Sequence, residues 1–313
     1  MESLLLLTSV INMGMMIAVG WIVSKFMPLT PEMKRFLIFL IMNIGLPCVV
    51  IRGISQLEIT HEIWLQAGMV AGLSLALHCA AIFLLRLLYK PMKTLVGNAN
   101  ETAVLSVLGN TGIIGIPFCM LLFGPKGALF AAIFDIGMAL TLWTVAVVMV
   151  GNQIRFQLSF FKNLLNMPIV SIVIALLIAL SGVKMPAAAT NLIDSFSQMT
   201  MPLAMIYLGL LLAANLQNIK TALSWKLLPP VAGKLMLFPA AAIALVAGLH
   251  LPEELGMVFV VQSAMPMATM LPIIFARFGA DEDYAVMSSV IAILLSLVTI
   301  PPVIYAGEWL IYR

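Results

Sequence analysis

The stretch GNTGIIGIP at residues 109–117 decides the fold class, because it places three glycines and a proline within nine residues of an apolar run. A second stretch, QSAMPMATMLP at residues 262–272, carries two prolines in another apolar run. Glycine and proline do not sustain a regular helix in a hydrophobic setting. Non-helical backbone at membrane depth is tolerated only where it is buried in protein or lines a wet cavity. The two stretches therefore predict a pair of broken membrane helices beside a functional site.

The composition requires a membrane around most of the chain. Apolar residues make up 63% of the sequence and charged residues only 9%, whereas soluble domains carry roughly a quarter charged residues. So few charges cannot cover a water-soluble surface, so we expect the lipid bilayer to be the main partner. The small net charge of +3 gives no reason to expect a nucleic-acid partner.

Ten apolar segments result when the chain is divided at charges and at clusters of proline and glycine. A membrane helix needs roughly 20 such residues, so the sequence predicts an all-α membrane protein with ten transmembrane helices and no soluble domain. The predicted spans cover residues 4–24, 35–53, 63–86, 101–123, 127–150, 167–183, 190–213, 227–249, 254–277 and 284–306.

The basic residues predict the orientation of these spans. Eleven lie in the loops on one side, and four, including Arg52, lie on the other side with the termini. Lysine and arginine are enriched in cytoplasmic loops. We therefore expect a multi-pass protein of the bacterial inner membrane with both termini outside, in the periplasm.

An internal repeat emerges when the chain is shifted by 155 residues, since prolines of the first half then fall on prolines of the second. The shift maps spans 1–5 onto spans 6–10. Five is odd, so the halves, residues 1–155 and 156–313, cross the membrane in opposite directions. This inverted 5+5 repeat is typical of secondary transporters. The matching pairs are Pro31 with Pro186, Pro47 with Pro202 and Pro117 with Pro272.

The breaks in spans 4 and 9 are the best candidates for a substrate site, because paired interruptions lie near the binding site of many transporters. The amino-terminal ends of half-helices carry free N–H groups and partial positive charge, which favour an anion. The candidate substrate-binding residues are Asn110, Thr111, Gly112, Pro117, Gln262, Pro266, Met267, Thr269 and Pro272.

Two ionisable residues inside predicted spans need an explanation, since a charge at membrane depth costs about 3 kcal/mol or more. Asp135 in span 5 is either a carboxylate that carries a coupled proton or a partner for a basic side chain or loosened backbone. Lys234 in span 8 is its natural partner, a site for the substrate's negative charge, or a side chain that reaches the membrane edge. We take both as coupling or charge-pair candidates.

Six short motifs stand at the two breaks and near the ends of spans: GNT at 109–111, GIP at 115–117, FG at 123–124, AMP at 264–266, LP at 271–272 and TIP at 299–301. These motifs resemble those of the auxin efflux carrier family, and the resemblance covers essentially the whole chain. It implies a homodimer with a scaffold part (spans 1, 2, 6 and 7) and a moving transport part (spans 3–5 and 8–10). It also implies an organic-anion substrate and a contact from Asn110 to the substrate carboxylate. Met267 replaces a polar residue of the plant carriers, which argues against indole acetate as the substrate.

The expected function is therefore an elevator-type secondary transporter of a mono- or dicarboxylate. An ion-coupled symporter or antiporter of the same fold, driven by protons or sodium, is the main alternative. An intramembrane enzyme is a further alternative, but it would need a second polar catalytic partner at membrane depth. A channel would show a continuous polar stripe along several spans, whereas polarity here is concentrated at the two breaks. The sequence has no phosphate-binding loop and no metal-ligand spacing, so we expect no cofactor, no metal and no catalytic residues.

Overall fold

The computed structural model of the protein describes residues 3–58, 60–92, 94–151, 167–181, 185–222 and 224–312. Every secondary-structure element in these ranges is a helix, apart from one isolated β-bridge. This confirms the all-α class. The helices are α1 (Ser3–Val23), α2 (Pro31–Ser55), α3 (His61–Tyr89), α4 (Ala99–Val107), α5 (Thr111–Val150), α6 (Met167–Ser181), α7 (Ala187–Ala222), α8 (Trp225–Leu249), α9 (Glu253–Ala264), α10 (Leu271–Phe278) and α11 (Glu282–Tyr312).

Six of the described helices, α2, α3, α5, α7, α8 and α11, are long and apolar enough to cross a membrane. Thr8–Val23 of α1 and Val170–Ala179 of α6 are shorter apolar helices. The protein is thus a multi-pass membrane protein. The ten-span count, the inverted 5+5 repeat, the halves 1–155 and 156–313, and the scaffold and transport parts stay predictions.

Wider, π-helical turns precede several of the prolines inside helices. A proline has no N–H group, and its ring collides with the carbonyl of the preceding turn. An extra residue in the turn before it accommodates both defects. These helices therefore continue through their prolines. The π-helical turns and the prolines that follow them are Ile41–Gly45 with Pro47, Thr111–Gly115 with Pro117, and Gly233–Leu237 with Pro239.

A sharp bend divides α5 at Gly124. This residue has φ 65° and ψ −150°, a conformation that glycine adopts far more readily than residues with a side chain. Pro125 follows it, so α5 consists of two helical pieces that meet at this residue. The bend lies where the sequence predicts the boundary between the fourth and fifth spans.

Packing divides the chain into two units. In unit 1, the carboxyl-terminal part of α2 packs against α6. In unit 2, α11 packs against α8, α9 and α10. Unit 1 comprises Met1–Ala71, Thr111–Ile136 and Leu165–Ala214, and unit 2 comprises Gly72–Asn110, Gly137–Leu164 and Asn215–Arg313.

Helices α1 and α7 of unit 1 meet backbone to backbone at two glycines. A Cβ atom at Gly20 would overlap the main-chain oxygen of Ile206. One at Gly209 would overlap the main-chain oxygen of Ile17. Small residues allow membrane helices to approach this closely and gain van der Waals contact.

The Gly20→Ala variant should therefore be less thermostable than the wild type, because its methyl group separates α1 from α7. Gly14 on the same helix is a matched control, since a Cβ there meets no atom within 4 Å. Gly14→Ala should be neutral or more stable, because alanine is favoured over glycine in a helix by about 1 kcal/mol. Monodisperse protein remaining after heating, measured by size-exclusion chromatography, gives both values. Equal stability of the two variants would contradict this packing.

Candidate functional site

The chain leaves the helical conformation within both predicted interruptions. Helix α4 ends at Val107 and is followed by non-helical residues 108–110, and α9 ends at Ala264 and is followed by non-helical residues 265–270. Both helices are followed by a residue in extended conformation. In the second case this residue precedes a proline, which disfavours helical dihedral angles. We call residues 108–110 and 265–270 together the crossing, and all of it belongs to unit 2.

The two segments of the crossing are antiparallel and hydrogen-bond to each other. The Asn110 N–H donates to the Pro266 carbonyl at 2.7 Å, and the Ala268 N–H donates to the Leu108 carbonyl at 3.1 Å. In a bilayer, main-chain groups outside a helix have no water to bind and need partners within the protein. Each broken segment supplies partners for the other.

Lys234 of α8 binds the ends of both broken helices. Its side chain is fully buried. The Nζ atom donates to the Val107 carbonyl at 3.1 Å and to the Ser263 carbonyl at 3.0 Å. It also lies 4.3 Å from the ring centroid of Phe238, within the range of a cation–π interaction. A single ammonium group therefore joins the last turn of α4, the last turn of α9 and an aromatic ring of its own helix.

The charge of Lys234 matches the helix ends that it contacts. The carboxyl-terminal end of a helix carries unpaired carbonyl groups and roughly half of a negative elementary charge. The two ends together approximate one negative charge, which one ammonium balances. Lys234 is thus satisfied by main-chain carbonyls. The predicted pair of Lys234 with Asp135 joins residues of different units and stays a prediction.

Gly109 provides the space that this lysine occupies. A Cβ atom at Gly109 would lie 2.9 Å from Lys234 Nζ and 3.4 Å from the main-chain oxygen of Met265. Gly109 itself pairs with Met267 across the crossing. The absence of a side chain at this residue lets the ammonium reach the main chain.

Five of the predicted substrate-binding residues lie in the crossing or in the adjoining turn of α9. Asn110 is 5% exposed. Within the described part of the chain, its Nδ2 atom is buried and has no hydrogen-bond partner. Met267 is fully buried and Thr269 is half-buried. The five residues are Asn110, Gln262, Pro266, Met267 and Thr269, and a sixth predicted residue, Pro272, lies in the first turn of α10.

The remaining predicted residues belong to unit 1. Thr111 is fully buried, and its hydroxyl donates to the Oδ1 atom of Asp135. A Cβ atom at Gly112 would lie 3.2 Å from Oδ2 of the same carboxylate. Thr111 and Gly112 therefore lie beside Asp135, and Pro117 lines a cavity of this unit. The roles of all these residues in binding stay predictions.

The sequence interpretation missed the other groups that surround Lys234. Phe238 is four residues further along α8, a spacing that places two side chains on the same helix face. This spacing was the sequence signal that could have identified Phe238 as a neighbour of Lys234. The centroid of the Phe238 ring also lies 5.2 Å from that of the His78 ring. The Nδ1 atom of His78 is 2.7 Å from the main-chain oxygen of Ser74. The Val107 and Ser263 carbonyls gave no signal, since any residue type carries such a group.

Comparison with known families decides the class of the protein. The family model described as membrane transport protein matches the chain twice in succession, over residues 5–155 and residues 154–304. The chain belongs to this membrane transport protein family. This family is of the auxin efflux carrier type, which is the type that the sequence motifs at the two breaks indicate. Two successive matches to one model also fit the predicted internal repeat.

An archaeal protein is also similar to the chain. An uncharacterized transporter of Methanocaldococcus jannaschii is 26% identical over 207 residues. The aligned region covers 63% of this chain and 65% of the relative, slightly less than two thirds of that protein's length. The family match alone places the chain among the membrane transport proteins.

Replacement of Lys234 by methionine should destabilise the protein. The substitution keeps an apolar stem but leaves two buried carbonyls at helix ends without a donor. A hydrogen bond to a charged group contributes about 1.5–3 kcal/mol, so Lys234→Met should show a clearly lower melting temperature. Lys226→Met is the matched control, because Lys226 is exposed in the first turn of α8. Wild-type thermal stability of Lys234→Met would exclude this role for the lysine.

Proposed function

We propose that the protein is an elevator-type secondary transporter for a small organic anion, a mono- or dicarboxylate. We further propose that it acts in a bacterial inner membrane, with both termini in the periplasm. Family membership supports transport across a membrane. The observation that carries the choice of an anion is the buried Lys234 ammonium on the carboxyl-terminal ends of both broken helices.

The charge balance at the helix ends favours an anion. Lys234 offsets the negative ends of α4 and α9. The helices that follow the crossing in sequence, α5 from Thr111 and α10 from Leu271, begin with amino-terminal N–H groups and partial positive charge. With the negative ends already neutralised, these positive ends favour a negatively charged ligand.

The Asn110 side chain supports the same conclusion. A buried donor without a partner costs about 1–3 kcal/mol, and the Nδ2 atom of Asn110 is such a donor in the described chain. A ligand carboxylate would accept its hydrogen bond and offset that cost. The amide is therefore suited to bind a carboxylate at the crossing.

Lys234 also bears on the coupling ion. Bound cations stabilise converging carbonyl groups in many proteins, and here an ammonium group already binds them. We therefore propose that transport does not require sodium. Proton coupling is the remaining alternative, and the observation in its favour is the Asp135 carboxylate, which accepts a hydrogen bond from Thr111 inside a long apolar helix.

Asn110→Ala should raise the concentration of carboxylate needed for half-maximal uptake by about tenfold or more. The physical reason is the loss of a hydrogen bond to a charged ligand, which contributes about 1.5–3 kcal/mol. Uptake of labelled carboxylates into proteoliposomes measures this concentration.

Asn191→Ala is the control for this experiment, because Asn191 is exposed on α7. It should leave the half-maximal concentration unchanged, and both variants should keep wild-type thermal stability. A well-folded Asn110→Ala protein with wild-type uptake would remove this residue from the substrate site.

Asp135→Asn distinguishes proton coupling from simple anion transport. Asparagine resembles the protonated acid, so a proton-coupled transporter with this change should still bind substrate but lose the pH dependence of its transport rate. If Asp135 instead forms an ion pair, the change should leave an unpaired charge and destabilise the protein by several kcal/mol. Wild-type transport that is constant between about pH 5 and pH 8 would exclude proton coupling.

A further inference from the structure

Unit 1 contains a cavity of about 680 Å³ lined by residues of α1, α2, α5 and α7. Its volume lies within the range of roughly 300–1,000 Å³ that is typical of small-molecule sites. Methionine side chains are flexible and adapt to apolar ligands of different shape. Much of the wall is formed by Met15, Met16, Met120, Met201, Pro117 and Pro202.

Arg52 is the one charged residue among those that line this cavity in the described chain. It lies in the last turn of α2, and its Nε atom is 3.0 Å from Oδ1 of Asp194. This ion pair is not a hydrogen bond, because the Nε atom is buried and has no hydrogen-bond partner among the described residues. An arginine has five N–H donors in a planar fork and can hold a second carboxylate in a two-point contact. Asp194 thus balances part of the charge of the guanidinium, which keeps N–H donors available for a ligand.

Two residues with amide side chains also line the cavity. Asn12 of α1 and Gln198 of α7 line it together with Arg52. Small-molecule sites typically combine a largely apolar wall with a few polar groups that fix the orientation of the ligand. The wall of this cavity has that composition.

The charges near Arg52 favour a ligand with a single negative charge. Arg52 also lines a second cavity of unit 1, of about 580 Å³, together with Glu58 and Asp194. These two carboxylates repel a further negative charge on that side. A dicarboxylate would place its second charge either near them or against the apolar methionine wall.

We propose that the methionine-lined cavity is a binding site for an amphiphilic monocarboxylate. Arg52 holds the carboxylate, and the apolar body of the ligand packs against the methionines. The inference rests on the proposed function, since it specifies the class of anion that is carried. It adds a site in unit 1 to the crossing of unit 2. Pro117, which the sequence places among the substrate-binding residues, is part of its wall.

Isothermal titration of delipidated protein with matched six-carbon probes tests the proposal. Asn110→Ala protein serves as the background, so that the cavity dominates the measured binding. Hexanoate should bind, adipate should bind at least tenfold more weakly, and 1-hexanol should bind more weakly than hexanoate. Arg52→Gln should weaken hexanoate binding tenfold or more, while Arg52→Lys should keep part of it. Arg35→Gln is the matched control, because Arg35 is exposed on the same helix.

A second variant separates binding from folding. The double variant Arg52→Gln/Asp194→Asn removes both charges and leaves no unpaired carboxylate, so it should fold normally and still lose hexanoate. Asp194→Asn alone should keep hexanoate binding, because the guanidinium remains.

Three outcomes would overturn the proposal. Undiminished hexanoate binding in the double variant removes Arg52 from the site, and the proposed function still stands if Asn110→Ala impairs uptake. Phosphatidylglycerol that binds in an Arg52-dependent manner and excludes hexanoate assigns the cavity to a lipid phosphate. Absence of carboxylate binding or uptake by the wild-type protein rejects both this site and the proposed function.

Discussion

Two peptide hydrogen bonds between broken helices, from Asn110 to Pro266 and from Ala268 to Leu108, are the interaction on which the candidate site in unit 2 depends. A helix that ends inside a bilayer leaves carbonyl and N–H groups without water to bind. When two such ends hydrogen-bond to each other, some of these groups gain a partner. The carbonyls that remain at the end of each helix need a donor, and Lys234 provides it.

This requirement explains several residues that would otherwise have no common purpose. Gly109 leaves room for the ammonium group, and a Cβ atom at Gly233 would overlap the hydroxyls of Ser106 and Tyr89. Helix α8 therefore lies directly against α4, where its lysine reaches the end of that helix. The same arrangement balances the negative helix ends within the protein. The positive helix ends that follow the crossing are then available for an anion.

Much of this architecture could be predicted from the sequence, because glycine and proline act locally. They marked both breaks and the bend at Gly124. The first break is nevertheless shorter than the glycine-rich stretch suggests. Helical structure resumes at Thr111 with a π-helical turn, which accommodates Pro117 within the helix. A motif indicates that a helix is disturbed, but the packing around it determines whether the result is a break or a wider turn.

The long-range contacts could not be predicted in the same way. The acceptors of Lys234 are main-chain carbonyls. Because every residue type has such a group, the sequence does not indicate which residues supply them. The pairing of Arg52 with Asp194 joins two distant helices, and nothing in the local sequence of either one indicates it. The sequence indicated which polar residues lie at membrane depth, whereas the structure showed which groups contact Lys234 and Asp135.

The most direct test of the central claim is counterflow in sodium-free proteoliposomes. Vesicles loaded with an unlabelled carboxylate are diluted into a trace of the labelled compound, and the label inside is followed over time. A carrier for organic anions with a built-in cation at the crossing should show saturable, transient accumulation of label without sodium. Accumulation that requires sodium would contradict the role given to Lys234, and absence of counterflow for every mono- and dicarboxylate would contradict anion transport.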